Sequence, residues 1–393
     1  MAQIPSFSFA RIPKLTFESG SVTSLPNVLA EYGSTILVVT GANSLKESGV
    51  LDRLHNACRR KDITTHWFSV STEPSPEMVD EAISAYAHCD IAAVCAVGGG
   101  STIDAGKAIS AMLPFNEPVE QYLEGVGTKS HPGHKIPFIA VPTTAGTGSE
   151  ATKNAVISRL GKDGFKKSLR HDNFVPDRVL IDPQLAFSCP PHITAACGMD
   201  AFTQLLEAYT SSKASPLTDA LAYSGLQYVK DNLTAACSSQ SEDSATRGAL
   251  AYASFISGIV LANAGLGIVH GLASSIGAMV DIPHGVVCGT LIGEATRLNV
   301  EKLISIDPGS NLLSKYARIG RLLSNDSEGT THTQCIRLVE QITMWIDALQ
   351  IPRLSRFGIT RSDVDGIAGT AGQKNNAAPL HQSDIRRMVE SRL

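Results

Sequence analysis

Residues 90–107 read DIAAVCAVGGGSTIDAGK, an apolar run followed by three glycines and then by a helix-like stretch. A short apolar run that stops at glycine is typical of a strand buried on both faces of a parallel sheet. Glycines let the backbone approach a diphosphate, and the first N–H groups of the next helix favour an anion. Ser101 and Thr102 can cap that helix and donate hydroxyls. The stretch is neither a P-loop nor a G-x-G-x-x-G motif, so it predicts either a phosphate-binding loop or a glycine-rich turn without a ligand.

Strand and helix patterns alternate on both sides of this loop. Apolar or β-branched runs occur at 35–40, 66–70, 135–141 and 178–181, with helical spacing between several of them. Such alternation indicates a parallel sheet covered on both faces by helices. After Asp182-Pro183 the strand patterns nearly vanish, so we predict an α/β domain over residues 1–185 and an all-α domain over residues 186–393. The predicted helices of the second domain span 192–210, 216–237, 244–264, 266–279, 285–300, 310–324, 331–349 and 383–392.

Composition argues against several classes of partner. The 393 residues carry a formal charge of −4, which supplies no basic face for nucleic acid and no basic tract for an anionic membrane. Eight cysteines without a C-x-x-C pair indicate reduced thiols. Residues 251–280 are apolar enough to suggest a membrane span, but Asn263, His270 and several glycines favour a buried helix pair. We expect a cytoplasmic protein with no nucleic-acid or membrane partner.

A second loop rich in glycine and hydroxyl groups follows the run at 135–141. It reads PTTAGTGSE over 142–150, and two such loops after strands of one sheet suit a dinucleotide laid across the sheet edge. A hydroxyl-rich surface loop is the alternative. The run at 35–40 is followed by Gly41-Ala42-Asn43, with no acid before Glu47. An acid there would bind the adenosine 2′-hydroxyl and repel a 2′-phosphate, so its absence favours NADP over NAD.

Four polar side chains in the second half are candidates for a metal site. Asp200 and Gln204 are four residues apart in a predicted helix and therefore share one face. His270 lies in an apolar helical stretch, and His284 lies at the start of another. One carboxylate and two imidazoles form a donor set that Fe(II) and Zn(II) accept. Considered singly, each histidine could instead be a hydrogen-bonded core residue, and Asp200 could be a helix cap.

Together these segments resemble the iron-containing (group III) alcohol dehydrogenases over the whole chain. The resemblance implies an N-terminal Rossmann-like α/β domain, an all-α C-terminal domain and an active site in the cleft between them, a fold shared with dehydroquinate synthase. It also implies hydride transfer between a small primary alcohol or aldehyde and NADP or NAD, a divalent metal (Fe2+ or Zn2+), and a homodimer or larger homo-oligomer. The shared motifs are GGGSxxDxxK at 98–107, PTTAGTGSE at 142–150, VLIDP at 179–183, GMDAxxxxxEAY at 198–209, GLGxxHG at 265–271, PHG at 283–285 and a pattern over 375–385.

The resemblance also implies roles for individual residues. Asp200, His270 and His284 match metal ligands at the catalytic centre. Gln204 stands where most members carry a fourth ligand, histidine, and its amide oxygen would bind a metal more weakly. Ser274 stands where most members carry a further histidine, which puts the usual proton relay in doubt. The predicted cofactor-binding residues are Gly41, Asn43, Gly98, Gly99, Gly100, Ser101, Asp104, Thr143, Thr144, Thr147 and Lys166.

Two other functions remain as alternatives. A lyase of the dehydroquinate synthase type would need several lysines or arginines near the metal, but residues 250–296 contain none. A family member that has lost its metal and its catalysis would serve as a nicotinamide-binding protein. Gln204 and Ser274 keep this second alternative open.

Overall fold

A parallel sheet forms the centre of the N-terminal domain in the computed structural model, which describes residues 4–42, 49–161, 164–238 and 241–393. The strands are β1 (Lys14–Phe17), β2 (Thr35–Gly41), β3 (Thr64–Val70), β4 (Ala93–Gly98), β5 (Phe138–Pro142), β6 (Asn154–Arg159), β7 (Phe165–Arg170) and β8 (Arg178–Ile181). Six of them form the sheet in the order β1-β8-β5-β4-β2-β3, and each neighbouring pair is parallel. This confirms the predicted parallel sheet.

Alternate residues of the central strands are buried on opposite faces of this sheet. The helices that cover it are α1 (Leu25–Ala30), α2 (Val50–Arg59), α3 (Pro76–Tyr86) and α4 (Gly100–Met112). Leu37 and Val39 of β2 belong to the core that includes α3 and α4. Ile36 and Val38 belong to the core that includes α1 and α2. Because both faces are covered, the strand is apolar along its whole length rather than alternating.

The carboxyl ends of β2, β4 and β5 lie side by side. Thr40 of β2 pairs with Val97 of β4, and Gly98 of β4 pairs with Pro142 of β5. From β2 the chain moves outward to β3 and then returns to β4 on the other side of β2, so the strand order reverses between β2 and β4. Ligands of open parallel sheets bind at such a reversal, and the glycine-rich loop begins there.

Three strands are missing from the sequence-based prediction. β6 and β7 form an antiparallel hairpin apart from the main sheet, and β1 pairs with β8 at the sheet edge. β7 reads FKKSLR and β1 reads KLTF. Two adjacent lysines interrupt β7, and β1 is only four residues long, so neither segment gives a strong strand pattern. The hairpin matters for function because it carries Lys166.

From Pro191 onward the described residues form α-helices, short 3-10 turns and connecting segments, which confirms the all-α second half. Side-chain oxygens of Ser215, Asp243 and Thr330 accept backbone N–H groups where three of the helices begin. The predicted helix at 285–300 continues to Ile306. The helices are α5 (Pro191–Tyr209), α6 (Pro216–Ala236), α7 (Ser244–Ala264), α8 (Ile268–Met279), α9 (His284–Ile306), α10 (Asn311–Ser324), α11 (Thr331–Ala348), α12 (Val364–Thr370, not predicted) and α13 (Gln382–Glu390).

Helix α7 is long and apolar enough, by length and composition, to cross a membrane. In this protein 67% of its most apolar window is buried, as is common for the core helix of a globular domain. Helices α7 and α8 divide the apolar stretch 251–280 between them, in agreement with the predicted helix pair. All eight cysteines are free thiols.

Candidate active site

Three helices of the C-terminal domain bring Asp200, His270 and His284 together. Asp200 lies in the middle of α5, His270 in the first turn of α8, and His284 at the first residue of α9. The Nε2 atom of His270 lies 3.3 Å from Asp200 Oδ1, and the Nε2 atom of His284 lies 3.7 Å from the same oxygen. The structure therefore places these three predicted metal-site residues around one point.

A fourth donor, Cys288, belongs to this cluster, and the sequence analysis does not single it out. Its Sγ lies 3.7 Å from the Nε2 atoms of both His270 and His284. One ligand atom from each of these three residues and from Asp200 lies within 4.8 Å of all the others. Cys288 follows His284 by four residues in α9, so both side chains lie on one face of that helix. This spacing is the pattern by which the sequence could have suggested it.

Glu207 supports the cluster and was likewise not predicted. Its Oε2 lies 2.7 Å from His270 Nδ1, and its Oε1 accepts the backbone N–H of Val269 at 2.7 Å. An Nδ1–H that donates to a carboxylate leaves the Nε2 lone pair free for a metal ion. Glu207 follows Asp200 by seven residues, which is two turns of α5, so a shared helix face was the available clue.

The electrostatics of the cluster suit a cation. Asp200 Oδ1 is buried and accepts no hydrogen bond from the described part of the chain, which is costly for a carboxylate oxygen unless a cation contacts it. Burial opposes ionisation of Asp200, but the facing imidazoles of His284 and His270 lower its pKa to about 2. Burial lowers the pKa of His284 to about 4, so its ring is neutral near pH 7. Burial opposes protonation of His270, but the facing Cys288, Asp200 and Glu207 raise its pKa. The negative groups of the cluster therefore attract positive charge, either a proton on His270 or a divalent metal ion.

The side chains of Gln204 and Ser274 have other hydrogen-bond partners. Gln204 Oε1 accepts from the Ser257 hydroxyl at 3.0 Å, and its Nε2 donates to the Thr147 carbonyl at 3.2 Å. Ser274 lines the cleft, and its hydroxyl donates to the His270 carbonyl at 3.1 Å. The role of Gln204 as a ligand stays a prediction. The contacts of its amide connect α5 to the loop over 142–150.

The two predicted cofactor loops pack directly against each other. A Cβ added at Gly100 would lie 2.6 Å from the Thr147 side chain, so only glycine fits there without a shift. The N–H of Thr143 donates to the Gly98 carbonyl at 2.9 Å. Close packing leaves Gly99 beside the Thr144 hydroxyl and Gly100 beside the Thr147 hydroxyl. The predicted residues that meet here are Gly98, Gly99, Gly100, Ser101, Thr143, Thr144 and Thr147.

Gly41 ends β2 at the neighbouring position in the sheet. A Cβ at Gly41 would meet the Thr102 hydroxyl at 3.7 Å, which is ordinary van der Waals contact. Packing therefore leaves room for a side chain at Gly41. Asn43, the other cofactor residue predicted after this strand, lies outside the described residues.

Glu73 connects the first cofactor loop to the β6–β7 hairpin. It accepts hydrogen bonds from the Ser101 hydroxyl at 3.1 Å and from Lys166 Nζ at 3.2 Å. Burial opposes its ionisation, but Lys166 lowers the pKa of Glu73 below its usual value. Asp104 also lines the cleft, and its Oδ2 accepts the backbone N–H of Val156 in β6 at 3.0 Å. The structure thus places Lys166 at the predicted cofactor loop, whereas the contact of Asp104 holds the hairpin to α4.

One cleft contains both groups of predicted residues. Its volume is about 360 Å³, which lies within the range of small-molecule sites. Leu261 and Leu266 supply part of an apolar wall. The polar residues around it include Ser101, Thr147, Lys166, His270, His284 and Asn375. A ligand at the glycine-rich loop would therefore share this space with a substrate at the histidines.

Comparison with known proteins now identifies the family. Residues 13–183 match the family described as iron-containing alcohol dehydrogenase, and residues 194–393 match the C-terminal region of the Fe-containing alcohol dehydrogenase family. The chain belongs to the iron-containing alcohol dehydrogenase family. The resemblance seen in the sequence motifs is therefore confirmed, and so is the fold that it implied.

Individual relatives match this dehydrogenase along nearly its whole length. The NADPH-dependent butanol dehydrogenase of Clostridium saccharobutylicum is 29% identical over 385 residues, which cover 95% of each chain. The NAD-dependent methanol dehydrogenase of Bacillus methanolicus is 27% identical over 392 residues, covering 97% of this chain and 98% of the relative. The crystal structure of a 1,3-propanediol oxidoreductase has a TM-score of 0.88 and 27% identity, covering 99% of this chain and all of the other.

Family membership makes this protein an oxidoreductase that acts on alcohols. The family uses NAD(P) and a divalent metal. The alternative of a metal-free member without catalysis is not favoured, since the four-residue donor cluster is present.

Proposed function

We propose that this dehydrogenase holds one divalent metal ion at Asp200, His270 and His284. The loops over 98–101 and 143–147 would hold the nicotinamide cofactor, which would supply hydride transfer to or from a small primary alcohol or aldehyde. The observation that carries the proposal is the buried Asp200 Oδ1. It has no hydrogen bond from the described residues, yet it lies within 3.7 Å of two imidazole nitrogens whose rings line the cleft.

The side chains around the cleft hold the reacting groups in position. When bound, the metal supplies Lewis acidity toward the substrate oxygen, and the nicotinamide supplies the hydride chemistry. Glu207 fixes the ring of His270 so that Nε2 points to the cluster. The amide of Gln204 donates to the Thr147 carbonyl and so connects α5 to the second cofactor loop. This contact holds the ligand cluster at a fixed distance from the cofactor loops. Ser274 lines the cleft and can pass a proton, but unlike imidazole it cannot hold one near neutral pH.

The choice of cofactor and substrate follows from charge. NADP(H) is favoured over NAD(H), because Gly41 leaves no carboxylate at the end of β2 to repel a 2′-phosphate. Among the described residues, two basic side chains line the cleft and both are paired, Lys166 with Glu73 at 3.2 Å and Arg170 with Glu124 at 3.1 Å. With these cations neutralised, an uncharged alcohol or aldehyde is the preferred substrate.

The metal is Fe2+ or Zn2+, both of which accept a carboxylate with two imidazoles. The enzyme is cytoplasmic, in line with its reduced thiols and modest net charge, and it forms a homodimer or larger homo-oligomer, as the resemblance implies. Its cofactor-binding domain covers residues 1–185 and its metal-binding domain residues 186–393.

Two measurements test the proposal. One is metal analysis of anaerobically purified protein, and the other is the rate of NADPH and NADH oxidation with short aldehydes as substrates. We expect stoichiometric iron or zinc and NADPH-linked turnover. His270→Ala and His284→Ala should abolish turnover yet keep NADPH affinity, measured by fluorescence titration, while His332→Ala, at an exposed position of α11, should behave as wild type. Wild-type turnover in both cleft variants, or active protein without metal, would contradict the proposed site.

A further inference from the structure

We infer that Cys288 is a fourth protein ligand of the metal, bound as a thiolate, in the role that the sequence analysis predicts for Gln204. The inference rests on the proposed metal site at Asp200, His270 and His284. It adds a sulfur donor to a set that the sequence motifs describe as one carboxylate, two imidazoles and an amide. The metal preference of the site changes as a result.

Four of the six distances among the donor atoms are close to those around a tetrahedral zinc ion, and all six are below 4.8 Å. With zinc–sulfur bonds of about 2.3 Å and zinc–nitrogen bonds of about 2.0–2.1 Å, neighbouring sulfur and nitrogen ligands lie about 3.6 Å apart. Cys288 Sγ lies 3.7 Å from both imidazole Nε2 atoms. Oxygen and nitrogen ligands of one zinc ion lie about 3.3 Å apart. Asp200 Oδ1 lies 3.3 Å and 3.7 Å from the same two nitrogens.

The position of Cys288 in α9 keeps its sulfur at the cluster. Its side chain is fully buried, and its Sγ contacts two ring nitrogens. Cys335 offers a comparison, because this equally buried thiol donates to the Leu313 carbonyl at 3.6 Å, within the helical core. The buried Asp200 Oδ1, unpartnered among the described residues, independently points to a cation at the same place.

Gln204 is less well placed to be the fourth ligand. Its amide oxygen accepts the Ser257 hydroxyl, and its amide nitrogen donates to the Thr147 carbonyl. To rotate this amide toward a metal would break one or both of these buried hydrogen bonds. The contacts of the Cys288 thiol are with the two imidazole nitrogens that would bind the same metal ion. To act as a thiolate ligand, Cys288 would release its S–H proton.

A thiolate gives this site a defined class of metal. Thiolate and imidazole favour zinc, whereas magnesium and manganese prefer oxygen ligands. The charges of Asp200 and a Cys288 thiolate together balance a divalent ion. Zinc can expand from four to five ligands, so a fourth protein ligand still leaves a position for the substrate oxygen.

Cobalt(II) is a suitable probe because it replaces zinc and reports sulfur ligation by a thiolate-to-cobalt charge-transfer band in the near ultraviolet. Metal-free protein is titrated anaerobically with cobalt(II), and the spectrum is recorded for the wild type, Cys288→Ser, Cys288→Ala, Gln204→Ala and the matched control Cys335→Ala. We expect the band in the wild type, Gln204→Ala and Cys335→Ala, and its loss in both Cys288 variants.

Loss of even an outer-shell partner weakens metal binding by about 10–100-fold. Zinc affinity in the Cys288 variants should therefore fall by at least about 10-fold in a chelator competition.

The outcomes separate the two proposals. Cobalt binding in the wild type with visible absorption bands but no thiolate band would overturn the role of Cys288 and leave the Asp200-His270-His284 site standing. A thiolate band that survives in Cys288→Ser would overturn it as well. Wild-type protein that binds neither cobalt nor zinc would overturn both the inference and the proposed function.

Discussion

The Nδ1 atom of His270 lies 2.7 Å from the Oε2 atom of Glu207, and this contact orients one of the cluster's two imidazoles from a neighbouring helix. The other carboxylate oxygen accepts the backbone N–H of Val269 at 2.7 Å. One side chain of α5 therefore holds both the histidine ring and the first turn of α8. Because Nδ1 is engaged, the Nε2 atom is directed to Asp200 and Cys288. Glu207 is a positioning residue, and its effect should be visible in metal binding before it is visible in cofactor binding.

Glu207→Gln should weaken zinc affinity by about 10–100-fold, the usual effect of losing an outer-shell partner. The two donors now meet different carboxylate oxygens, so the NH2 group of a glutamine would face either the His270 ring or the Val269 N–H and could not accept from it. Chelator competition measures the affinity, and fluorescence titration should show unchanged NADPH binding. Glu340→Gln, at an exposed position of α11, is the matched control. Unchanged zinc affinity in Glu207→Gln would show that the carboxylate does not position the ligand.

Gly41→Asp should shift the preference from NADP(H) toward NAD(H). A carboxylate at the end of β2 would repel a 2′-phosphate and accept a hydrogen bond from a 2′-hydroxyl. Packing tolerates the change, since a Cβ there makes ordinary contact with Thr102 at 3.7 Å. We expect the ratio of kcat/KM for NADPH to that for NADH to fall by at least about 10-fold, equivalent to about 1.4 kcal/mol. Gly41→Asn matches the shape without the charge and should have a smaller effect, so an equal shift in both variants, or in neither, contradicts the charge explanation.

Gly100→Ala should damage cofactor binding by disturbing the contact between the two loops. The added methyl group would lie 2.6 Å from Thr147, and such overpacking costs about 1–3 kcal/mol. The affinity for NADPH, measured by fluorescence titration, should fall by at least about 5-fold, with a decrease in Tm. Gly366→Ala in α12 is the control, because a Cβ there meets no atom within 4 Å. Wild-type NADPH affinity in Gly100→Ala would mean that this loop does not bind the cofactor.

Glu150 should make stability depend on pH. Burial raises the pKa of Glu150 from 4.5 to about 7, so between these values the folded protein holds a proton that the unfolded chain has released. The contribution of Glu150 to the free energy of unfolding is therefore fully present below pH 4.5 and is lost as the pH rises through about 7. Glu150→Gln cannot lose that proton.

We therefore expect the Tm of Glu150→Gln, relative to wild type, to increase as the pH is raised across this range. Differential scanning calorimetry at several pH values measures the difference. Glu81→Gln, at an exposed position of α3, should keep a constant difference from wild type. A constant difference for Glu150→Gln as well would contradict the raised pKa.

Local patterns in the chain were enough to predict much of the architecture. The apolar runs that became β2, β4, β5 and β8 are buried on both faces, and this is why their composition identifies them without any knowledge of partners. The glycine-rich loops at the ends of β4 and β5 were also predictable, because each is a run of glycine and hydroxyl residues directly after an apolar strand. The β6–β7 hairpin was missed because adjacent lysines interrupt β7, and β1 was missed because it is only four residues long and its partner, β8, lies far along the chain.

Motifs and local periodicity in the chain are enough to predict the family, the parallel sheet and the helical second half. They also identify Asp200, His270 and His284 as candidate ligands, because each of these residues lies in a recognisable motif. Tertiary structure alone decided which donors meet. Cys288 and Glu207 join the cluster only because α5, α8 and α9 converge at one point. The contacts of Gln204 with Ser257 and Thr147 likewise join residues far apart in the chain. The spacing of residues along the chain predicts which face of a helix a side chain occupies. The partner that it faces depends on how the helices pack against one another, and a local sequence pattern does not predict that packing.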